Sequence, residues 1–463
     1  MSLFGLQLPS KFSIDVLIIK LVYPFTIFQE AILINCTEFT WHMKIKQFLP
    51  LPIILAFVSL PVVVQAAPLV SIGDSVDVFF SGSSSVQWQS NVFYDEADEQ
   101  DDIKFTVSPG FEVNVGRGLS NLDLSIITRY DITRYDELSE LDTEQFHIKA
   151  ISSYRSSRWD VNGLVSYDEN QSAGKDGNTN QKGRLTESEN IRANLNGEYR
   201  LSPKFSVGSG VNYSDRQYQD QESLADRESF KIPVDIFYEL TPKVDLSVGY
   251  TYTATDVGET KLGGTVNGSE VSSYDKEGHF FNVGARGELL PKLAGFFKVG
   301  YRTSDSDDSS QVNYSTPIGP TGPTGPTVTT PSSTNRDSRG TMGLDASFTY
   351  SATPKLTTAL VLHRGFDVGG EGQGTTTTRA NLTAKYSING NYSASANFGY
   401  TLREYETTDD REDNVYNTGF RLSYVPNRYW RFSTGYNYNK NDSDRQGQSY
   451  EAHMVDLSAS LRY

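Results

Sequence analysis

Cysteine is almost missing from this chain. The single residue, Cys36, lies before the one long apolar stretch, so the chain beyond that stretch can form neither an intramolecular disulfide nor a thiolate metal site. Past residue 66 no run of about 20 apolar residues occurs, which excludes a bundle of membrane-spanning helices. A basic surplus is missing too: 41 Lys+Arg stand against 57 Asp+Glu, a net charge of -16. Binding nucleic acid needs Lys and Arg concentrated on one face, so no nucleic-acid partner is expected. What the chain has in plenty is aromatic, 27 Tyr and 25 Phe in a sequence of negative mean hydropathy.

The chain from Met43 begins with Lys44 and Lys46, runs apolar from Phe48 to Val64, and offers Val64 and Ala66 as small residues at a cleavage site. That order reads as a secretory signal peptide over residues 43–66. Residues 1–42 precede a complete signal and share no pattern with the rest, so translation is expected to start at Met43, with 1–42 a non-native extension. Taking away the four Lys and three acids of residues 1–66 leaves a net charge of -17.

Alternation of apolar and polar residues then runs to the end, the period of a strand with two unlike faces. Val244, Leu246, Val248, Tyr250 and Tyr252 point one way; Asp245, Ser247, Gly249, Thr251 and Thr253 point the other. Short Pro- or Gly-containing connections recur at 201–205, 240–244, 289–293, 352–356, 388–392 and 425–428, the composition of tight hairpin turns. Long polar connections fall between them, at 95–102, 170–185, 256–276 and 304–338. This predicts an all-β, closed antiparallel transmembrane barrel of about 18 strands, 16 being the alternative, with a short periplasmic segment at 67–84 and the barrel at 85–463.

Tyrosines sit at both ends of the segments, for example Tyr130, Tyr167, Tyr252 and Tyr400 at one end, and Tyr154, Tyr199, Tyr350 and Tyr424 at the other. Two aromatic girdles about 25 Å apart flank the lipid-facing band of such barrels, and strands can span lipid only by closing on themselves. Val455, Leu457, Leu461 and Tyr463 form an apolar face ending on an aromatic. That face resembles the insertion signal read by the barrel assembly machinery of bacterial outer membranes.

Ser90-Asn91-Val92-Phe93, an acidic loop and Phe105–Val113, together with the Pro-Lys turns and the Val-Gly-Tyr centres at 248–250 and 299–301, resemble the outer-membrane porins grouped as "beta-barrel porin 2". The resemblance covers roughly residues 85–463 and implies an integral outer-membrane location among lipid and lipopolysaccharide. It also implies polysaccharide export components as neighbours, as in some relatives.

Function is expected on the inward face. The candidates there are Arg129, Arg192, Lys231, Asp235, Asp245, Arg286, Glu288, Lys298, Arg302, Asp345, Arg421 and Arg431. Both signs occur, eight basic and four acidic, and the mixture predicts a hydrated channel of weak selectivity. The inward Gly249, Gly300, Gly399 and Gly435 are expected to allow strand bending. His147, His279, His363 and His453 lie on four separate segments without a nucleophile pattern, so no enzyme, cofactor or metal site is expected. The acidic runs 95–102 and 304–310 read as solvated loop tips rather than cation sites. Residues 318–327 read as a stiff Gly-Pro-Thr spacer inside a loop that could constrict the lumen. The short stretch before the first segment argues against a plug domain. The favoured reading is a passive, water-filled pore for small hydrophilic solutes. A conduit for exopolysaccharide export and a structural or adhesive barrel are the alternatives.

Overall fold

The hairpin turns explain the architecture from one end. At most of them the residue before Pro, or an Asn in its place, turns its side-chain oxygen onto the backbone two and three residues on, an ST or Asx turn; at 289–293 Leu290 precedes the Pro, and Lys292 takes φ 67°. Thr241 Oγ1 accepts from Lys243 N (3.3 Å) and Val244 N (3.1 Å), and Thr353 Oγ1 from Lys355 N (3.2 Å) and Leu356 N (3.0 Å). Asn389 and Asn427 do the same ahead of Tyr392 and Trp430.

The computed structural model describes residues 68–116, 121–172, 186–219, 224–258, 260–262, 269–271, 274–307, 336–370, 372–406 and 411–463. The expected signal peptide at 43–66, the expected extension at 1–42 and the Gly-Pro-Thr stretch at 318–327 lie outside these. The first nine barrel strands are β1 (Val76–Gln89), β2 (Asp102–Val115), β3 (Leu122–Tyr135), β4 (Thr143–Arg155), β5 (Trp159–Ser172), β6 (Thr186–Arg200), β7 (Phe205–Gln219), β8 (Arg227–Thr241) and β9 (Val244–Val257). The second nine are β10 (Tyr274–Leu290), β11 (Leu293–Asp307), β12 (Arg336–Thr353), β13 (Leu356–Val368), β14 (Gly374–Ser387), β15 (Tyr392–Tyr405), β16 (Glu412–Tyr424), β17 (Trp430–Ser443) and β18 (Tyr450–Arg462). Each pairs antiparallel with its sequence neighbours, and β18 pairs with β1 from Gln89↔Met454 to Ser81↔Arg462. The sheet has 18 wall strands and is closed.

One boundary differs from expectation. The barrel starts at Val76, not near residue 85, and part of the expected periplasmic segment is strand: Val70–Ile72 folds back on β1 through Gly73 at φ 59°. Gly82 and Ser84 stand on the lipid side of β1 between Phe80 and Val86, which erases the contrast that marks the other strands. Two prolines also sit within the wall. Pro109 and Pro233 have no N–H to donate, and the ladders β2–β3 and β7–β8 each skip two positions beside them.

The outward face is apolar, with Val248 64% and Leu195 57% exposed. At the short-turn end Trp159 packs on Tyr199 (ring centroids 4.7 Å), Phe205 on Tyr238 (5.1 Å) and Tyr392 on Tyr424 (4.6 Å). At the long-loop end Tyr400 meets Tyr416 (5.3 Å), while Tyr130 and Tyr252 donate to Glu144 (2.6 Å) and Glu277 (3.0 Å). These are two aromatic girdles, the upper one tied to carboxylates at the rim.

Candidate pore lumen

Because side chains alternate strictly, one register fixes both faces of the wall. Following the pairs Asp235↔Gly249, Gly249↔Asn282 and Asn282↔Gly300 around the barrel identifies the inward set. Arg129, Arg192, Lys231, Asp235, Asp245, Arg286, Lys298, Arg302, Asp345, Arg421 and Arg431 all lie on it. Glu288 has the same parity but sits beside a register shift at the turn end, where Lys243 Nζ reaches it at 2.6 Å, so it belongs to the rim.

Several of these charges pair across one or more intervening strands rather than with the adjacent one. Arg421 on β16 grips Asp456 on β18 with two bonds of 2.9 and 2.8 Å. Lys298 on β11 reaches Asp235 on β8 at 2.7 Å. Arg286 on β10 reaches Glu198 on β6, also holds Asp245 at 2.9 Å, and lies 3.5 Å from the centre of the Phe237 ring. Arg302 bonds Asp345, which also meets His363 Nδ1 at 2.6 Å.

The inward glycines are the condition for this. A Cβ at Gly249 would collide with the Asp235 carboxylate, and one at Gly435 would meet Asp456 Oδ1 at 2.5 Å and Arg421 Nη2 at 2.9 Å. Gly249 and Gly435 are sockets in which a neighbour's side chain crosses against the wall, a role beside the strand bending expected of them. Gly300 differs, since its Cβ would strike the Phe281 carbonyl of β10.

Three features escaped sequence reasoning. His147 sits between Asp168 (3.0 Å) and Asp131 (3.3 Å), with Arg129 Nε at 2.8 Å from Asp131. Asn397 donates to Asn417 at 2.8 Å, and Asn417 donates in turn to Asn439, forming an amide ladder over β15–β17. The loop after β1 folds inward: Asn91 is fully buried, and Val92 packs with Leu141. Burial pushes the Tyr94 phenol up, despite bonds to Gln89 and Asn439. The acids of that loop are largely exposed, but Asp102 is buried and accepts from Leu138 N at 2.9 Å, so it is not a solvated tip. A recess of about 290 Å³ opens on the inner wall of β7–β13, lined by Ser229, Thr251, Thr255, Lys276, Phe280 and Arg302 among others. Among the described residues no group of three or more His, Cys, Asp or Glu side chains could hold a metal.

An inward polar face, an outward apolar band and two girdles describe a barrel built for lipid with a wet interior. Residues 335–463 match the family model "Putative beta-barrel porin 2". The chain is an integral outer-membrane β-barrel, and its last strands are similar to that family. The matched span is a little over a quarter of the chain, at its C-terminal end, and does not include the motifs at 90–93, 105–113, 248–250 and 299–301. No protein of curated function matches the sequence. Among solved structures, the ferric citrate transporter FecA is 11% identical, with 83% of this chain and 78% of that one covered and a TM-score of 0.44. The outer-membrane protein OpdK from Pseudomonas aeruginosa is 9% identical over 84% and 99%, at 0.39. The ferric-catecholate receptor Fiu from E. coli K12 is 11% identical over 85% and 82%, at 0.41.

Proposed function

We propose that this porin barrel is a passive, water-filled pore for small hydrophilic solutes. The observation that carries the reading is the closed 18-strand wall with a polar inward face. A barrel of 16 to 18 strands is wide enough to leave an aqueous channel. Asn, Ser and Thr stand at many inward positions between the ion pairs, groups that water and solute hydroxyls can hydrogen-bond without desolvating a charge. The lipid partners in this reading are phospholipid and lipopolysaccharide, and insertion runs through the barrel assembly machinery. The porin kind of barrel is a channel class, and the proposal assigns it no catalytic step.

The test is conductance in planar bilayers, using protein shown to be folded by heat-modifiable gel mobility. Ohmic conductance is expected from the intact chain, rising when residues 308–335 are replaced by a short Gly-Ser linker. A folded preparation silent in both forms would overturn the pore and leave the structural or adhesive barrel. A second reading, a conduit for exported polysaccharide, is supported by the Asn397, Asn417 and Asn439 ladder, since amides offer sugar hydroxyls both donor and acceptor. It requires a silent parent and a conducting deletion.

A further inference from the structure

The chain as a whole is acidic, yet among the described residues the inward charges that lack a partner are nearly all basic. The inward carboxylates at mid-wall are taken: Asp131 by Arg129 and His147, Glu198 and Asp245 by Arg286, Asp235 by Lys298, Asp345 by Arg302 and His363, and Asp456 by Arg421. An ion pair presents a dipole to a passing solute, and its field falls off faster than that of a lone charge.

Among the described residues, Lys149, Arg192, Lys231, Arg379, Lys385 and Arg431 face inward with no carboxylate within 4.0 Å. All but Lys231 are exposed. Lys149 and Arg192 flank Ser166 in one cross-strand row. Arg379 stands beside His363 and Thr401 on the facing run of strands. Glu239, near the periplasmic rim, is the one inward carboxylate among the described residues of the wall strands that is comparably free.

The surplus acid lies elsewhere. Glu169 pairs directly with Glu189, and Asp256 with Asp275, on the outward parity at the extracellular ends, while Glu96, Asp98 and Glu99 are exposed in the first loop. At about 0.15 M salt the Debye length is about 8 Å, so these outer acids are screened from the mid-lumen, where the lone cations act at short range on whatever passes.

We propose that the pore selects for anionic solutes, the lone inward cations providing the preference. This rests on the pore reading above and replaces the expectation of weak selectivity, which counted charges without knowing which were paired. A solute carrying carboxylate or phosphate would exchange water for successive cations along the wall, the arrangement by which Lys and Arg linings favour anions.

The experiment is the reversal potential of the folded barrel in a planar bilayer across a KCl gradient. It is measured for the parent and for the triple variant Lys149→Gln, Arg192→Gln, Arg379→Gln. The parent is expected to reverse on the chloride side, and the variant to shift towards zero or past it. These side chains are exposed and unpaired, so the variant should keep its heat-modifiable mobility, which is checked alongside. A parent that prefers potassium, or a folded variant with unchanged reversal potential, overturns the inference while leaving the pore standing. Absence of any conductance in folded parent overturns both.

Discussion

Arg286 donates two hydrogen bonds to Glu198, both of 2.7 Å, across the three strands that separate β10 from β6. Gly208 on β7 leaves room for the Phe237 ring, whose Cε2 would lie 3.1 Å from a Cβ there, and the guanidinium rests on that ring. The pair therefore ties β6 to β10 across the inner wall as well as bringing opposite charges together. Both side chains are about one-third exposed, which screens the attraction but spares much of the desolvation cost. Removing either partner, as in Arg286→Met or Glu198→Gln, should cost about 1–2 kcal/mol. A double-mutant cycle in urea unfolding should give a coupling of about 1 kcal/mol. Strictly additive single effects would mean that the pair contributes nothing to the wall.

Leu195 and Asn196 are neighbours on opposite faces near the middle of β6. Leu195 is 57% exposed towards lipid, while Asn196 faces inward and donates to Asn212 at 3.2 Å. Leu195→Arg should destabilise the barrel by about 2–4 kcal/mol, the cost of a charge on the lipid face near mid-membrane. Asn196→Arg should stay close to the parent in an unfolding titration and change conductance instead. Equal damage from the two would contradict the assignment of faces.

How far the sequence could be read depends on the range of the interaction. Alternation in segments such as Val244–Thr253 and the Thr-Pro-Lys turns are local, and they place the strands, the faces and the girdles. The start of β1 was misplaced for the same reason: Ser81, Gly82, Ser83, Ser84 and Ser85 offer no contrast between faces. The pairing of inward charges is not local. Asp235 and Lys298 are 63 positions apart and meet only because β8 and β11 lie near each other on the inner wall. One signal was available without a structure. An inward glycine such as Gly249 or Gly435, between strands carrying an acid and a base, marks the place where a side chain crosses.

Gly300 separates two roles for glycine. Its Cβ would run into the Phe281 carbonyl and lie 2.7 Å from Asn282 Cα, so backbone would have to move. Gly82, on the lipid side of β1, would place a Cβ 3.5 Å from the Phe80 ring, an ordinary contact. Gly300→Ala should therefore cost about 1–3 kcal/mol by overpacking. Gly82→Ala should be neutral or gain up to about 1 kcal/mol from reduced freedom in the unfolded chain. Urea midpoints of the refolded proteins check both, and a stable Gly300→Ala barrel would place that contact outside the wall's tight packing.

The seam where the barrel closes is held by backbone and by one bridging ion pair. Tyr463 O accepts from Phe80 N at 2.7 Å, and Tyr463 N donates to Phe80 O at 2.8 Å, extending the β1–β18 ladder by one residue. Arg462 reaches over β1 to Glu112 on β2 with bonds of 2.8 and 2.9 Å, its guanidinium 3.6 Å from the centre of the Phe79 ring. Tyr463 also packs on Tyr429 of the adjacent turn, ring centroids 5.9 Å apart. Closure of the first strand on the last is the step that removes the final open edge, and in lipid an open edge leaves several kcal/mol of unpaired backbone. Deleting Tyr463 should leave unfolded protein in the periplasm and little in the outer membrane, measured by fractionation and heat-modifiable mobility. Glu112→Gln keeps the backbone ladder and should insert normally while unfolding at lower urea. If the Tyr463 deletion reached normal outer-membrane levels and only Glu112→Gln failed to insert, the ion pair rather than the terminal ladder would be what closes the barrel.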